Sequence, residues 1–82
     1  MDSIEETLQQ RSIYGSFKEK AEWIQQMKYM VRHSTGWDDI SMAEKEAIDN
    51  IMQKLGRVLY GSYHEDNWHD IAGYATLIVK GD

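Results

Sequence analysis

The sequence predicts one all-α domain, a small bundle of about four helices with the third and fourth forming an antiparallel hairpin. Three observations predict it. Three S-x-x-E boxes, Ser3/Glu6, Ser16/Glu19 and Ser41/Glu44, each place a hydroxyl and a carboxylate where they satisfy the free N–H groups of a helix start. Gly15, Gly36, Gly61 and Gly81 each follow a periodic segment, where glycine ends helices. Between these signals apolar residues recur at helical spacing, and the chain contains no proline.

Taken in order, the signals predict helices at about 4–12, 17–34, 42–60 and 67–80. The first follows the Ser3 box. The second carries Phe17, Ala21, Ile24 and Val31 on one face, and Trp23, Met27 and Met30 widen its apolar arc. An arc that broad calls for more than one neighbour, so packing in a core or against another subunit is expected there. The third helix gathers Ile48, Ile51, Met52, Leu55 and Leu59. The fourth, with Asp66 as its predicted N-cap, carries Trp68, Ile71, Ala72, Ala75, Ile78 and Val79 on its core face. The short connection from Gly61 to Asp66 sets these last two helices antiparallel. Gly56 and Gly73 lie inside helices, where glycine costs about 1 kcal/mol relative to alanine, so each is expected to mark a close approach of two helices.

Eighty-two residues leave room for a single domain spanning 1–82. So short a chain buries a thin core and gains from extra packing, through aromatic side chains or self-association. Three Trp, five Tyr, one Phe and five Met supply that packing, and the absence of cysteine excludes disulfides and thiolate metal sites. The net charge of −5, with the basic residues dispersed, argues against binding to DNA through its phosphates. No apolar run reaches the roughly 20 residues of a membrane span, and the acidic Met1–Glu6 segment has no signal-peptide core, so the cytoplasm is the expected location.

Candidate chemistry concentrates in the second half. On the fourth helix Asp70, Tyr74 and Leu77 form a stripe opposite the predicted core face. That stripe reads as a solvated face or an oligomer contact, or as a pocket in which Asp70 accepts and Tyr74 stacks. Lys54 and Arg57, one turn apart, either pair with Asp66 or Asp70 across the hairpin or present an ammonium and a guanidinium fork to phosphate. Glu46 and Asp49 form an E-x-x-D that could hold Mg²⁺, although such pairs are common on acidic helices. His64 and His69 do not share a helix face, and His33 suits the negative end of a helix. There is no zinc H-E-x-x-H, nucleophile elbow or phosphate-cradling glycine loop.

Three blocks carry a resemblance. They are Tyr14-Gly15-Ser16-Phe17, the run Asp49-Asn50-Ile51-Met52-Gln53-Lys54-Leu55-Gly56-Arg57, and Asp66-Asn67-Trp68-His69-Asp70-Ile71-Ala72-Gly73-Tyr74-Ala75. Together they resemble a family of small helical phage and prophage proteins with the pattern Y-G-x-F, D-x-I-x-x-K-x-x-R and D-x-W-x-D-I-x-G-Y. That family has no settled activity. Its pattern is distantly similar to the MazG-type all-α nucleotide pyrophosphohydrolases, oligomers that hold Mg²⁺ with an E-x-x-E on one helix and an E-x-x-D on the next. The positions that would correspond are Glu19, Glu22, Glu46 and Asp49, and antiparallel neighbours would keep these pairs apart within one chain.

The resemblance and the spare aromatics imply a non-enzymatic, self-associating phage-type module in the host cytoplasm. It would bind a nucleotide-like ligand or a host partner, in the manner of an anti-defence factor that sequesters a nucleotide signal. Lys54 and Arg57 would meet phosphate, Tyr14, Trp68 or Tyr74 the base, and Asp66 and Asp70 would complete the site. No cofactor is expected on this reading. The alternatives are a Mg²⁺-dependent pyrophosphohydrolase, and a purely structural or protein-binding module with Trp23 and Met30 as its contact patch.

Overall fold

A computed structural model of the chain describes residues 17–61 and 65–81. These form three α-helices and one short 3-10 turn: α1 (Phe17–Arg32), the turn Trp37–Asp39, α2 (Met42–Tyr60) and α3 (Glu65–Lys80). There is no strand among the described residues. The expected helix at 4–12, the boxes that use Ser3 and Ser16, Tyr14 and His64 lie outside them.

α1 ends two residues before its expected limit, at Arg32. The Ser34 hydroxyl donates to the Val31 carbonyl at 2.6 Å, and the His33 ring donates from Nδ1 to the Tyr29 carbonyl at 2.8 Å. Both bonds satisfy carbonyls that a helix end leaves free. The following loop is tied to both helices through Trp37. The Arg32 guanidinium lies 5.1 Å from its ring centre and the Lys45 ammonium 5.6 Å, both within cation–π range.

α2 starts at the Ser41 box as expected. The Glu44 N–H donates to Ser41 Oγ and the Ser41 N–H donates to Glu44 Oε1, both at 3.0 Å. Its far end closes with the Gly61 N–H donating to the Arg57 carbonyl. Gly81, at φ 79°, takes the left-handed conformation that favours glycine just beyond α3.

α1 and α2 are antiparallel. As partners step forward along α1 they step back along α2, from Trp23 against Tyr60, through Ile24 against Gly56, to Arg32 against Asp49. α3 returns along the opposite side of α2, fastened by an ion pair between Lys54 and Asp70. α2 is therefore the central helix, and α1 and α3 barely touch each other. Among the described residues each outer helix has α2 as its main neighbour and buries little. The buried apolar side chains among the described residues are Ile24, Ala47 and Met52, with Gly56 and Asn67 buried beside them.

The expected apolar faces are met unevenly. Ile24 and Met52 are buried, and Ala21, Val31, Ile48, Ile51 and Leu55 are half-buried. Phe17 and Leu59, expected in the core, are exposed. α3 departs furthest. The residues turned toward α2 are Asn67, Ile71, Tyr74 and Ile78, so Tyr74 lies inward rather than opposite the core. Trp68, Ala72, Ala75 and Val79, expected inward, are exposed. The apolar arc of α3 is wider than one helix can cover, and the Lys54–Asp70 pair lies in the seam beside the half that meets α2. Asp66 does not cap α3. The helix begins at Glu65, which places Glu65 and Asp66 in its first turn, where their charges oppose the helix dipole favourably.

Of the two interior glycines, only Gly56 marks a close approach. A Cβ there would lie 2.8 Å from Ile24 Cδ1, whereas a Cβ at Gly73 would meet nothing within 4 Å.

Candidate functional site

The second-half candidates separate into several environments. Lys54 Nζ and Asp70 Oδ2 are 2.8 Å apart in the α2–α3 seam, so each has the other as partner. Lys54 is the more covered, its side chain 16% exposed against 48% for Asp70. Tyr74 follows one turn beyond Asp70 and is half-buried against α2. Arg57 is exposed and shares the outer polar line of α2 with Glu46 and Gln53. Among the described residues it makes no ion pair with Asp66 or Asp70. Asp66 is exposed at the start of α3, and Trp68 is 46% exposed on a different face from Tyr74. The fold thus brings Lys54, Asp70 and Tyr74 together, and leaves Arg57, Asp66 and Trp68 apart from them.

The acidic pairs are also separated. Asp49 accepts from Arg32 Nη2 through both carboxylate oxygens, at 3.0 and 2.9 Å, near the start of α2. Glu46 accepts from Asn50 Nδ2 at 3.3 Å. Glu19 and Glu22 lie near the start of α1, which the antiparallel pairing places beside the end of α2. Among the described residues no three His, Asp or Glu side chains are grouped closely enough to share a metal ion. His69 and Glu65 pair along the exposed side of α3 at 3.2 Å.

Two features emerge that the sequence does not single out. The first is a surface cleft of about 200 Å³ between the start of α1 and the end of α2, lined by Glu19, Glu22, Trp23, Gln26 and Tyr60. The Trp23 and Tyr60 rings stand 6.4 Å apart at 53°, forming a corner rather than a stack. Trp23, which the protein-binding alternative puts in a contact patch with Met30, packs against its own chain, in line with the core-or-interface expectation, while Met30 is 66% exposed. Only the antiparallel register joins Trp23 to Tyr60, and nothing local to either residue announces it.

The second is the exposed stripe of α3. Trp68, Ala72, Ala75 and Val79 follow one another at spacings of four, three and four, which align on one helix face. Val79 is 85% exposed. A signal for this stripe was present in the breadth of the apolar arc, which exceeds what one neighbour covers.

Compared with protein-family models, with curated proteins and with solved structures, the chain matches none. The functional reading therefore rests on its own residues.

Proposed function

We propose that this chain is a non-enzymatic helical module that self-associates through α3. The observation that carries the reading is the Trp68–Ala72–Ala75–Val79 stripe, an apolar face turned away from α2. Its residue order suits a two-fold, antiparallel contact with a second copy. In that arrangement Trp68 at one end lies over Val79 of the other copy, and Ala72 meets Ala75 at the centre. Small central residues let two helices approach closely, and a two-fold contact uses the same patch twice. Charge at the ends agrees. Glu65 and Asp66 begin the helix and Lys80 ends it, so opposite charges meet when two copies run antiparallel.

One stripe on one helix makes a small interface, so the expected dissociation constant is on the order of micromolar. The test is sedimentation equilibrium across a concentration series. The expected result is a reversible monomer–dimer equilibrium that the double substitution Trp68→Ser with Val79→Ser abolishes while far-UV circular dichroism is unchanged. Both side chains are exposed, so the variant retains the fold. A native chain that stays monomeric throughout, or a double variant that dimerises equally well, would sink the proposal.

A second reading, binding of a phosphate-bearing ligand such as a nucleotide, is favoured by Arg57, an exposed guanidinium one turn from Lys54. On this reading Lys54 exchanges Asp70 for phosphate. A thermal-shift panel of nucleotides, cyclic dinucleotides included, tests it, and no response from any member removes it.

A further inference from the structure

The cleft beside Trp23 has a one-sided chemistry. Among the described residues its lining provides two carboxylates, one amide and two aromatic rings, and no basic side chain. Among the described residues, no Lys, Arg or His is in ion-pair range of Glu19 or Glu22. These two acids are three apart on α1 and so project from neighbouring turns of one face. Trp23 follows Glu22 directly and lies one turn beyond Glu19, and Tyr60 closes the corner from α2.

These groups point to a cation. The carboxylates carry full negative charge, and the faces of the two rings carry the negative side of the aromatic quadrupole. Size narrows the choice further. At about 200 Å³ the cleft falls below the roughly 300 Å³ at which pockets for drug-sized ligands begin. That size matches a head group and a short alkyl stem more closely than a whole nucleotide. Geometry separates the two common biological cations. A compact ammonium is strongly hydrated and favours an enclosing cage, whereas this corner has two walls and is open to water. A guanidinium is planar and weakly hydrated, lies flat on an indole or phenol, and turns a fork of N–H donors toward carboxylates.

We propose that Glu19, Glu22, Trp23 and Tyr60 form a binding site for a guanidinium group, stacked in the Trp23–Tyr60 corner and hydrogen-bonded by the two carboxylates. Two sources share this chemistry, a free guanidinium compound and an arginine side chain of another protein. The site uses α1 and the end of α2 alone, so it stands or falls independently of the α3 contact.

The experiment uses the full ¹⁵N-labelled chain and follows the indole N–H resonance of Trp23, assigned from the spectrum of Trp23→Phe. Agmatine represents the free cation and a blocked Gly-Arg-Gly tripeptide the protein-borne one. Citrulline analogues, which replace the guanidinium by a neutral urea of the same shape, are the controls. The expected result is a saturable shift with a dissociation constant on the order of millimolar for at least one cationic probe, and none for its neutral analogue. Saturation by agmatine alone assigns a free ligand. Saturation by the tripeptide, with or without agmatine, assigns an arginine side chain. Glu19→Gln combined with Glu22→Gln is expected to weaken binding about tenfold, and both side chains are exposed, so the fold is retained. The proposal is overturned by the absence of a saturable shift with both cationic probes, by equal shifts with the citrulline analogues, or by unchanged affinity in the double variant.

Discussion

Replacing Gly56 and Gly73 by alanine is the same chemical change in two helix interiors, with opposite expected outcomes. In an exposed helix interior, alanine is favoured over glycine by about 1 kcal/mol, because glycine loses more backbone freedom on folding. At Gly73 the new methyl meets nothing within 4 Å, so Gly73→Ala should realise most of that gain. At Gly56 the methyl would lie 2.8 Å from Ile24 Cδ1, 3.1 Å from Ile24 Cγ1 and 3.2 Å from Lys20 Cγ. Comfortable carbon contacts begin at roughly 3.5 Å, so all three atoms must yield. Ile24 is only 3% exposed, so its side chain must shift within the core rather than into solvent. Overpacking of this kind costs about 1–3 kcal/mol, which exceeds the propensity gain over most of its range. Gly56→Ala should therefore fall below Gly73→Ala in stability by about 2 kcal/mol. Urea unfolding followed by far-UV circular dichroism at one protein concentration measures the difference. With a slope of about 1–1.5 kcal/mol/M for so small a chain, the two midpoints should differ by more than about 1 M. Equal midpoints, or a higher midpoint for Gly56→Ala, would refute the tight α1–α2 crossing at Gly56.

Three further outcomes follow from the contacts. Ser41→Ala removes the hydroxyl that accepts from the Glu44 N–H and should cost about 1 kcal/mol in chemical denaturation, whereas the same change at exposed Ser34, just outside α1, should cost less. Asp49→Asn weakens the double contact with Arg32, whose side chains are 39% and 26% exposed, and should cost about 0.5–1 kcal/mol at low salt. That cost should shrink as ionic strength rises, and a salt-independent loss would indicate another cause. A double-mutant cycle with Lys54→Met and Asp70→Asn should return a coupling of about 0.5–1 kcal/mol, and zero coupling would mean that the pair does not fix the rotation of α3.

Much of the secondary structure was legible because its determinants are local. The Ser41 box forms as its spacing predicts, since a cap is made by residues three apart. The limits of α2 agree with expectation for the same reason, and so does the left-handed Gly81. The antiparallel course of α2 and α3 follows from their short connection. The site was less legible. Lys54 and Asp70 were both candidates, and their pairing was one of two readings open for them. Asp66 is not the cap: the helix starts at Glu65, two residues before the start expected at 67, because Glu65 and Asp66 both suit a first turn. Trp23 and Tyr60 lie far apart in sequence, so no spacing rule connects them.

The sequence by itself determined where helices begin and end around Ser41, Gly61 and Gly81, and that α2 and α3 run in opposite directions, because caps, glycines and short connections act over a few residues. Only the tertiary structure decided which half of the α3 arc meets α2, that Gly56 and not Gly73 sits at a crossing, and that Glu19, Glu22, Trp23 and Tyr60 surround one cleft. Helical periodicity states how wide an apolar face is. The rotation of that face depends on partners elsewhere in the chain, here α2 with its Lys54–Asp70 contact, and it leaves Trp68 and Val79 turned outward.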